Sequence, residues 1–368
     1  MKTHSPWGAV VLLVLVACSP AAKKAGFADR MDAYFSSRFP GGEPGAAILI
    51  LRKDSIVFFH GYGLADIQTR EPITIRTLFN LGSISKTFVA NAILILQEQG
   101  KLSVEDSLIK YFPAFKNNDI ARRVKIKHLL THTSGLPDRR KVSEDTVLYL
   151  TAKDTENWKP EMLTDTLEFE PGTRFNYSNP AFNGLALIVE QVSGMKWQEF
   201  IGQHIFKPAG MPTSTITDGS HPQSGVAHGY VKNGGSWIED DYGEEPTFPA
   251  AGNGGVWSSA EELASYEKAI QRHIFLTEAT VNDSRTVKQF GQWQGAEPPF
   301  IGWSWFITTQ QGLHTIGHPG SQGGFLTNYV VVPDKQIFFV ILCNTPREAY
   351  EMKTTTNYVL EEIKKEWP

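Results

Sequence analysis

The sequence predicts a mixed α/β domain, with strands near both ends of the chain and a largely helical stretch between them. Three patterns predict it. Short apolar, β-rich runs occupy Ala46–Leu51 and Ser55–His60. A second set of such runs falls between residues 301 and 342. From about 101 to 250 the apolar residues recur with helical spacing, interrupted by Pro and Gly. A chain of 368 residues, 41% hydrophobic and 20% charged, can bury a sizeable core. Its net charge of −4 offers no general basic face for nucleic acid.

The first element lies outside the fold. Ala9–Val16 is apolar throughout, too short to span a bilayer, and follows Lys2 and His4, so residues 1–17 read as a signal peptide. Leu15-Val16-Ala17-Cys18 resembles the lipobox of bacterial lipoproteins. That resemblance implies a diacylated Cys18 at the mature N-terminus, residues 18–26 as a tether, and an exported, membrane-anchored protein facing the periplasm or the cell exterior. If Cys18 carries lipid, Cys343 has no disulfide partner, and its apolar surroundings predict a buried thiol.

The domain then runs from 27 to 368, with a sheet region of about 27–90 and 250–368 and a helical region of about 91–249. Phe27, Met31, Tyr34 and Phe35 place one apolar face on a helix that Pro40-Gly41-Gly42 stops. Arg52-Lys53-Asp54 turns the first hairpin. A helix from about Ser83 to Gln99 presents Phe88, Val89, Ala92, Ile93 and Leu96, with Gly100 as its cap. His128–Thr131 and Ala181–Val192 are helical patterns in the middle. Ile301–Thr309, His314–Ile316, Phe325–Val332 and Gln336–Leu342 are strands, the last two joined by Pro333-Asp334-Lys335. Tyr350–Trp367 is the closing helix.

The chemistry concentrates in three short motifs. Ser83-Ile84-Ser85-Lys86 opens the predicted helix after Gly82. Residues at i and i+3 share a helix face, and free N–H groups at a helix start favour a developing oxyanion. A lysine beside the hydroxyl can take its proton if neutral, or support a neighbouring base if charged. Tyr177-Ser178-Asn179 follows 94 residues later, and His318-Pro319-Gly320 another 141 residues on.

In this order the three motifs resemble serine β-lactamases and penicillin-binding proteins, in the variant with Y-x-N and H-x-G elements. Class C β-lactamases, D-amino-acid-specific peptidases and related esterases carry it. The runs Leu81–Phe88, His128–Leu136, Pro171–Asn179 and Ala251–Glu262 match too, so the resemblance covers about 30–365. It implies an antiparallel sheet flanked by helices beside a helical subdomain, with the site in the cleft between them and no cofactor. It implies Ser83 as nucleophile, Lys86 as proton partner and Tyr177 as general base and acid. Asn179 would bind the substrate amide and Lys86. The N–H groups of Ser83 and Ser321 would form the oxyanion hole beside Gly320, with His318 on an edge strand facing the cleft. Histidine stands where many relatives have lysine, which puts recognition of a substrate carboxylate in doubt. A small ester or amide, a cell-wall D-amino-acid peptide and a β-lactam all stay open as substrates, as does a penicillin sensor that acylates with little turnover.

Other features carry no chemistry in this reading. His128/His132 has Leu129 where a zinc motif needs glutamate, and the spacing of His314/His318, in a strand-and-turn region, is not expected to put both on one face; no cluster supplies three ligands, so no metal is expected. His132 is expected to hydrogen-bond in the core near the site. Gly252-Asn253-Gly254-Gly255 reads as a tight turn, and Trp303 and Trp305 as core. No G-x-S-x-G elbow is present.

Overall fold

The computed structural model describes residues 1, 25–141, 144, 151–217, 221–222, 224–240, 249–345 and 349–368. Cys18 and the signal segment after Met1 lie outside the described residues. Helix α1 (Phe27–Arg38) buries Phe27, Met31 and Phe35, the predicted face, and the Asp29 carboxylate accepts from the N–H of Gly26 at its start. Strands β1 (Ala46–Arg52) and β2 (Ser55–Tyr62) pair around Lys53 and Asp54, both with positive φ, as a tight hairpin turn requires.

Four more strands come from the C-terminal part: β3 (Phe306–Gln310), β4 (Leu313–Gln322), β5 (Phe325–Val332) and β6 (Ile337–Cys343). All six form one antiparallel sheet in the order β3-β4-β5-β6-β1-β2, with Ala46 opposite Cys343. Two strand expectations change. β3 begins at Phe306 rather than Ile301, because Ser304 takes φ 66° and breaks the run. β4 is much longer than His314–Ile316 and carries His318, Pro319 and Gly320 within the strand.

Both faces of the sheet are covered, so β1 and β6 are continuously apolar. Ile48, Ile50, Phe339 and Ile341 meet α1 and the closing helix α6 (Ala349–Glu366), whose Tyr358 stacks on Tyr34 at 3.6 Å. Alternate residues Ala47, Leu49, Val340 and Leu342 face the larger core. Cys343 is buried.

In that core runs α2 (Ser85–Glu98), buried at every position from Ser85 to Leu96. A helix buried on every side is a central one. It touches α4 (Asn179–Ser193), which packs on α3 (Asp154–Met162), while α5 (Ala260–Gln271) lies against β6 and β1. The 91–249 stretch is not wholly helical, since Tyr230–Asn233 and Ser236–Glu239 form a hairpin within it. Among the described residues no helix is long and apolar enough to cross a membrane.

Candidate active site

Ser83 sits in a 3-10 turn, Gly82–Ile84, that runs directly into α2, so the α-helix itself begins at Ser85, two residues after the predicted start. Gly82 adopts φ 51°, and a Cβ there would fall 2.6 Å from the backbone nitrogen of Ser321. Gly320 is as constrained, since a Cβ would meet the Leu81 carbonyl at 2.1 Å. The two glycines let β4 press against the turn that presents Ser83.

Lys86 lies one turn along and is fully buried. Its Nζ donates to Ser83 Oγ at 3.0 Å and to the carbonyl of Asn253 at 2.6 Å. Burial pushes its pKa well below the ordinary lysine value, and the Arg140 guanidinium pushes it the same way. The lowered pKa favours the neutral amine, the form that can accept the Ser83 proton along the same short line.

Tyr177 precedes α4, whose start is fixed by Ser178. The Ser178 hydroxyl accepts from the N–H of Ala181, and its own N–H donates to His132 Nδ1 at 3.0 Å. The His132 ring stacks on Tyr177 at 4.2 Å, and Lys86 Nζ lies 5.2 Å from the tyrosine ring centre. His132 is buried, and burial followed by the charge of Lys86 holds its pKa well below the usual histidine range, so it stays neutral. Tyr177 is thus shelved on an uncharged ring, with 36% of its surface open to solvent.

His318 completes the set from β4. It is buried, 6.4 Å from the Tyr177 ring and 5.0 Å from Phe306. Burial, then repulsion from Lys86, pushes its pKa down to about 3. Its strand is not the sheet edge, which is β3. However, pairing with β3 ends at Phe306–Gly317, so His318 to Gln322 have that side open. Ser321 is exposed at the rim and Gly320 buried beneath it.

The Beta-lactamase family profile matches residues 28–362. The chain belongs to the Beta-lactamase family. Members of this family are generally serine hydrolases. The chain is 27% identical to "Penicillin-binding protein 4*" of Bacillus subtilis (strain 168) over 319 residues, 81% of this chain and 67% of the relative. It spans 61% of the length of other curated relatives it matches. A penicillin-binding protein from Bacillus halodurans superposes with a TM-score of 0.75 at 26% identity, covering 92% of this chain and all of that one. The D-amino acid amidase from Ochrobactrum anthropi SV3, complexed with D-phenylalanine, gives 0.76 at 20% identity over 92% of this chain and 98% of its own, a likeness of fold.

Ser83, Lys86, Tyr177 and His318 therefore come together, with one change of partner. Lys86 bonds the Asn253 carbonyl, and among the described residues no bond joins it to Asn179, which is the half-buried first residue of α4. Sequence reasoning missed Asn253, treating Gly252–Gly255 as a simple turn. The turn is held by Asp154 on α3, whose carboxylate accepts from the N–H of Gly252 at 2.8 Å and from Asn183 Nδ2 at 2.7 Å. Nothing in the sequence marks a lone aspartate 68 residues from the lysine it serves.

Burial raises the Asp154 pKa from 3.8 to about 7. A carboxyl raised on folding contributes stability below its unfolded pKa that is lost as pH climbs through the folded one. Between pH 5 and 8 the wild type should lose on the order of 2 kcal/mol through this group. Asp154→Asn should be spared that loss, and urea unfolding of both proteins at the two pH values checks it.

The remaining expectations also find their places. His128 Nδ1 accepts from Lys125 N, and His132 from Ser178 N, so that pair is separately engaged. His314 and His318 share one face of β4, contrary to the sequence reading. Their four-residue spacing nevertheless puts them about 13 Å apart along the strand, with His314 exposed. Trp303 and Trp305 are core residues.

Proposed function

We propose that this protein is a serine acyl hydrolase that forms an acyl-enzyme on Ser83 and acts on a small ester or amide or a cell-wall-type D-amino-acid peptide. The observation that carries this reading is the buried Lys86 amine, 3.0 Å from Ser83 Oγ and held below its ordinary pKa. Ser83 Oγ attacks the substrate carbonyl while its proton passes to Lys86. The carbonyl oxygen takes up negative charge facing the N–H groups of Ser83 and Ser321. Tyr177 then gives a proton to the leaving oxygen or nitrogen as the scissile bond breaks. Water cleaves the acyl-enzyme by the reverse roles. Asn179, half-buried at the start of α4, binds the substrate amide. Cys18 anchors the exported protein to its membrane through lipid.

Two features support a substrate read through apolar contact rather than a free carboxylate. His318 is neutral at physiological pH, so no fixed cation stands there. Beside it Phe306, Phe300 and Phe175 form a half-buried aromatic wall, with ring centres 6.0 and 4.8 Å apart. An acyl group with an aromatic or branched side chain fits that surface.

Tyr177→Phe keeps the ring stack on His132 and removes only the hydroxyl. It should lower kcat by about 10² to 10³-fold with little change in KM, because proton transfer is lost and binding is not. Steady-state kinetics on an activated ester checks it.

The test of the whole reading is intact-protein mass after incubation of the full chain, in detergent, with a fluorophosphonate, with D-phenylalanine methyl ester and with a penicillin. Fluorophosphonate labelling with ester turnover supports the proposal. A stable penicillin adduct without turnover of any substrate moves the protein to the sensor class. Absence of labelling by all three reagents sinks it.

A further inference from the structure

Away from the catalytic cleft, three chain segments bring metal-binding side chains together. His221, His228 and Glu239 each offer one ligand atom, and these atoms lie within 4.8 Å of one another. The His221 and His228 rings stack at 5.1 Å with 16° between their planes, and His228 Nδ1 stands 2.5 Å from Glu239 Oε1. We propose that these residues form a divalent transition-metal site, best suited to zinc.

The donor chemistry selects the ion. Two imidazole nitrogens and one carboxylate oxygen are a zinc set, and too nitrogen-rich for calcium or magnesium. Bonds of about 2.0 Å in a tetrahedron separate two ligand atoms by about 3.3 Å. The His228–Glu239 pair therefore opens by less than 1 Å to admit the ion, and His221 closes inward. The metal takes the place of the proton between His228 Nδ1 and Glu239, which leaves or moves to the other ring nitrogen. Three protein ligands leave a fourth position for water.

The surroundings hold the site in shape. The backbone of His228 is pinned on both sides, its N–H donating to Ala65 O at 2.9 Å and its carbonyl accepting from Asn344 Nδ2 at 2.9 Å. Glu239 is fixed by the hairpin register that sets it opposite Tyr230. The Tyr230 hydroxyl in turn donates to Asp66 at 3.2 Å. Trp257 meets the His221 ring edge-on at 5.5 Å. A pinned histidine and a strand-held glutamate keep two of the three ligands in place, as a metal site requires.

The site also has a mechanical position. Gly229, next to His228, lies against Gly324, where a Cβ would fall 2.3 Å from the Gly229 carbonyl carbon. Gly324 follows Ser321 by three residues, in the turn between β4 and β5. A metal that ties residue 221 to the hairpin therefore braces the turn behind the exposed rim of the catalytic cleft. The spacing His221-x6-His228-x10-Glu239 matches none of the pairs considered from sequence, where no metal was expected.

Full-length protein stripped with chelator, reloaded with zinc and dialysed should retain a single zinc ion per chain by elemental analysis. With cobalt in place of zinc it should show visible absorption of a tetrahedral ion. His228→Ala and Glu239→Gln should each weaken zinc binding at least about tenfold. Zinc should raise Tm by several degrees in the wild type and not in either variant. Glu239→Gln keeps the side-chain shape, and fluorophosphonate labelling of Ser83 in each variant controls for folding. Zinc content equal in wild type and both folded variants would mean an ordinary histidine–glutamate pair, and would overturn the proposal.

Discussion

Ser83→Ala should abolish fluorophosphonate labelling and lower kcat/KM by at least about 10⁴-fold, since the group that forms the covalent bond is gone while the rest of the cleft remains. The residual rate would come from the oxyanion donors and from binding alone. Stability should change by no more than about 1 kcal/mol, because Ser83 is half-buried and Lys86 keeps its bond to the Asn253 carbonyl. Labelling traced by intact mass, beside a urea melt, separates the two effects. A fully labelled, folded Ser83→Ala protein would remove Ser83 from the mechanism and move the nucleophile elsewhere.

Lys86→Met should produce opposite signs in activity and stability. Methionine matches the length of the lysine stem but has no base, so kcat should fall by about 10³ to 10⁴-fold. At the same time the variant should unfold at higher urea. Burying an amine that an unfolded chain would hold protonated costs free energy, and a thioether carries no such cost. The sign follows from linkage. The folded pKa of Lys86 lies below the unfolded value, so the cost is present at pH 7 and disappears above about pH 10, where the unfolded lysine is also neutral. The stability advantage of Lys86→Met should therefore shrink between pH 7 and 11. In the wild type the labelling rate should rise with pH through the depressed lysine pKa and stay flat above it. A rate that climbs only near pH 10 would mean an ordinary ammonium and deny Lys86 its role as base.

Much of this site was legible in the sequence because its residues come in short motifs fixed by local geometry. Ser83 and Lys86 are one helical turn apart, so their meeting needs no long-range information. Tyr177 and His318 were placed by motif order, and the fold brings Tyr177 to Lys86 and His318 to Tyr177. What stayed hidden depends on contacts between distant segments. The Asn253 carbonyl is a backbone atom, and its identity as the partner of Lys86 follows from where the 249–255 turn docks, not from its side chain. The break before β3 was also invisible, since Ser304 takes φ 66° while Trp303 and Trp305 have the apolar, aromatic look of a strand. The length of β4 was underestimated because Pro319 and the glycines beside it argue against a strand by propensity. Those residues are tolerated where pairing with β3 has ended.

The pairing of β1 with β6 bears on how the chain is made. Ala46 meets Cys343 across nearly the whole length of the protein, and β1 lies between β6 and β2 in the finished sheet. Until the last hundred residues have left the ribosome, the first hairpin has only itself to pair with, and its apolar edge is open to other chains. Closure of the sheet is then a late, non-local step with a large loop to organise, which makes folding slow. A truncation anywhere before residue 337 would leave β1 without its partner and should yield aggregate rather than a smaller folded unit. Synthesis and folding of this protein are therefore separate events in time.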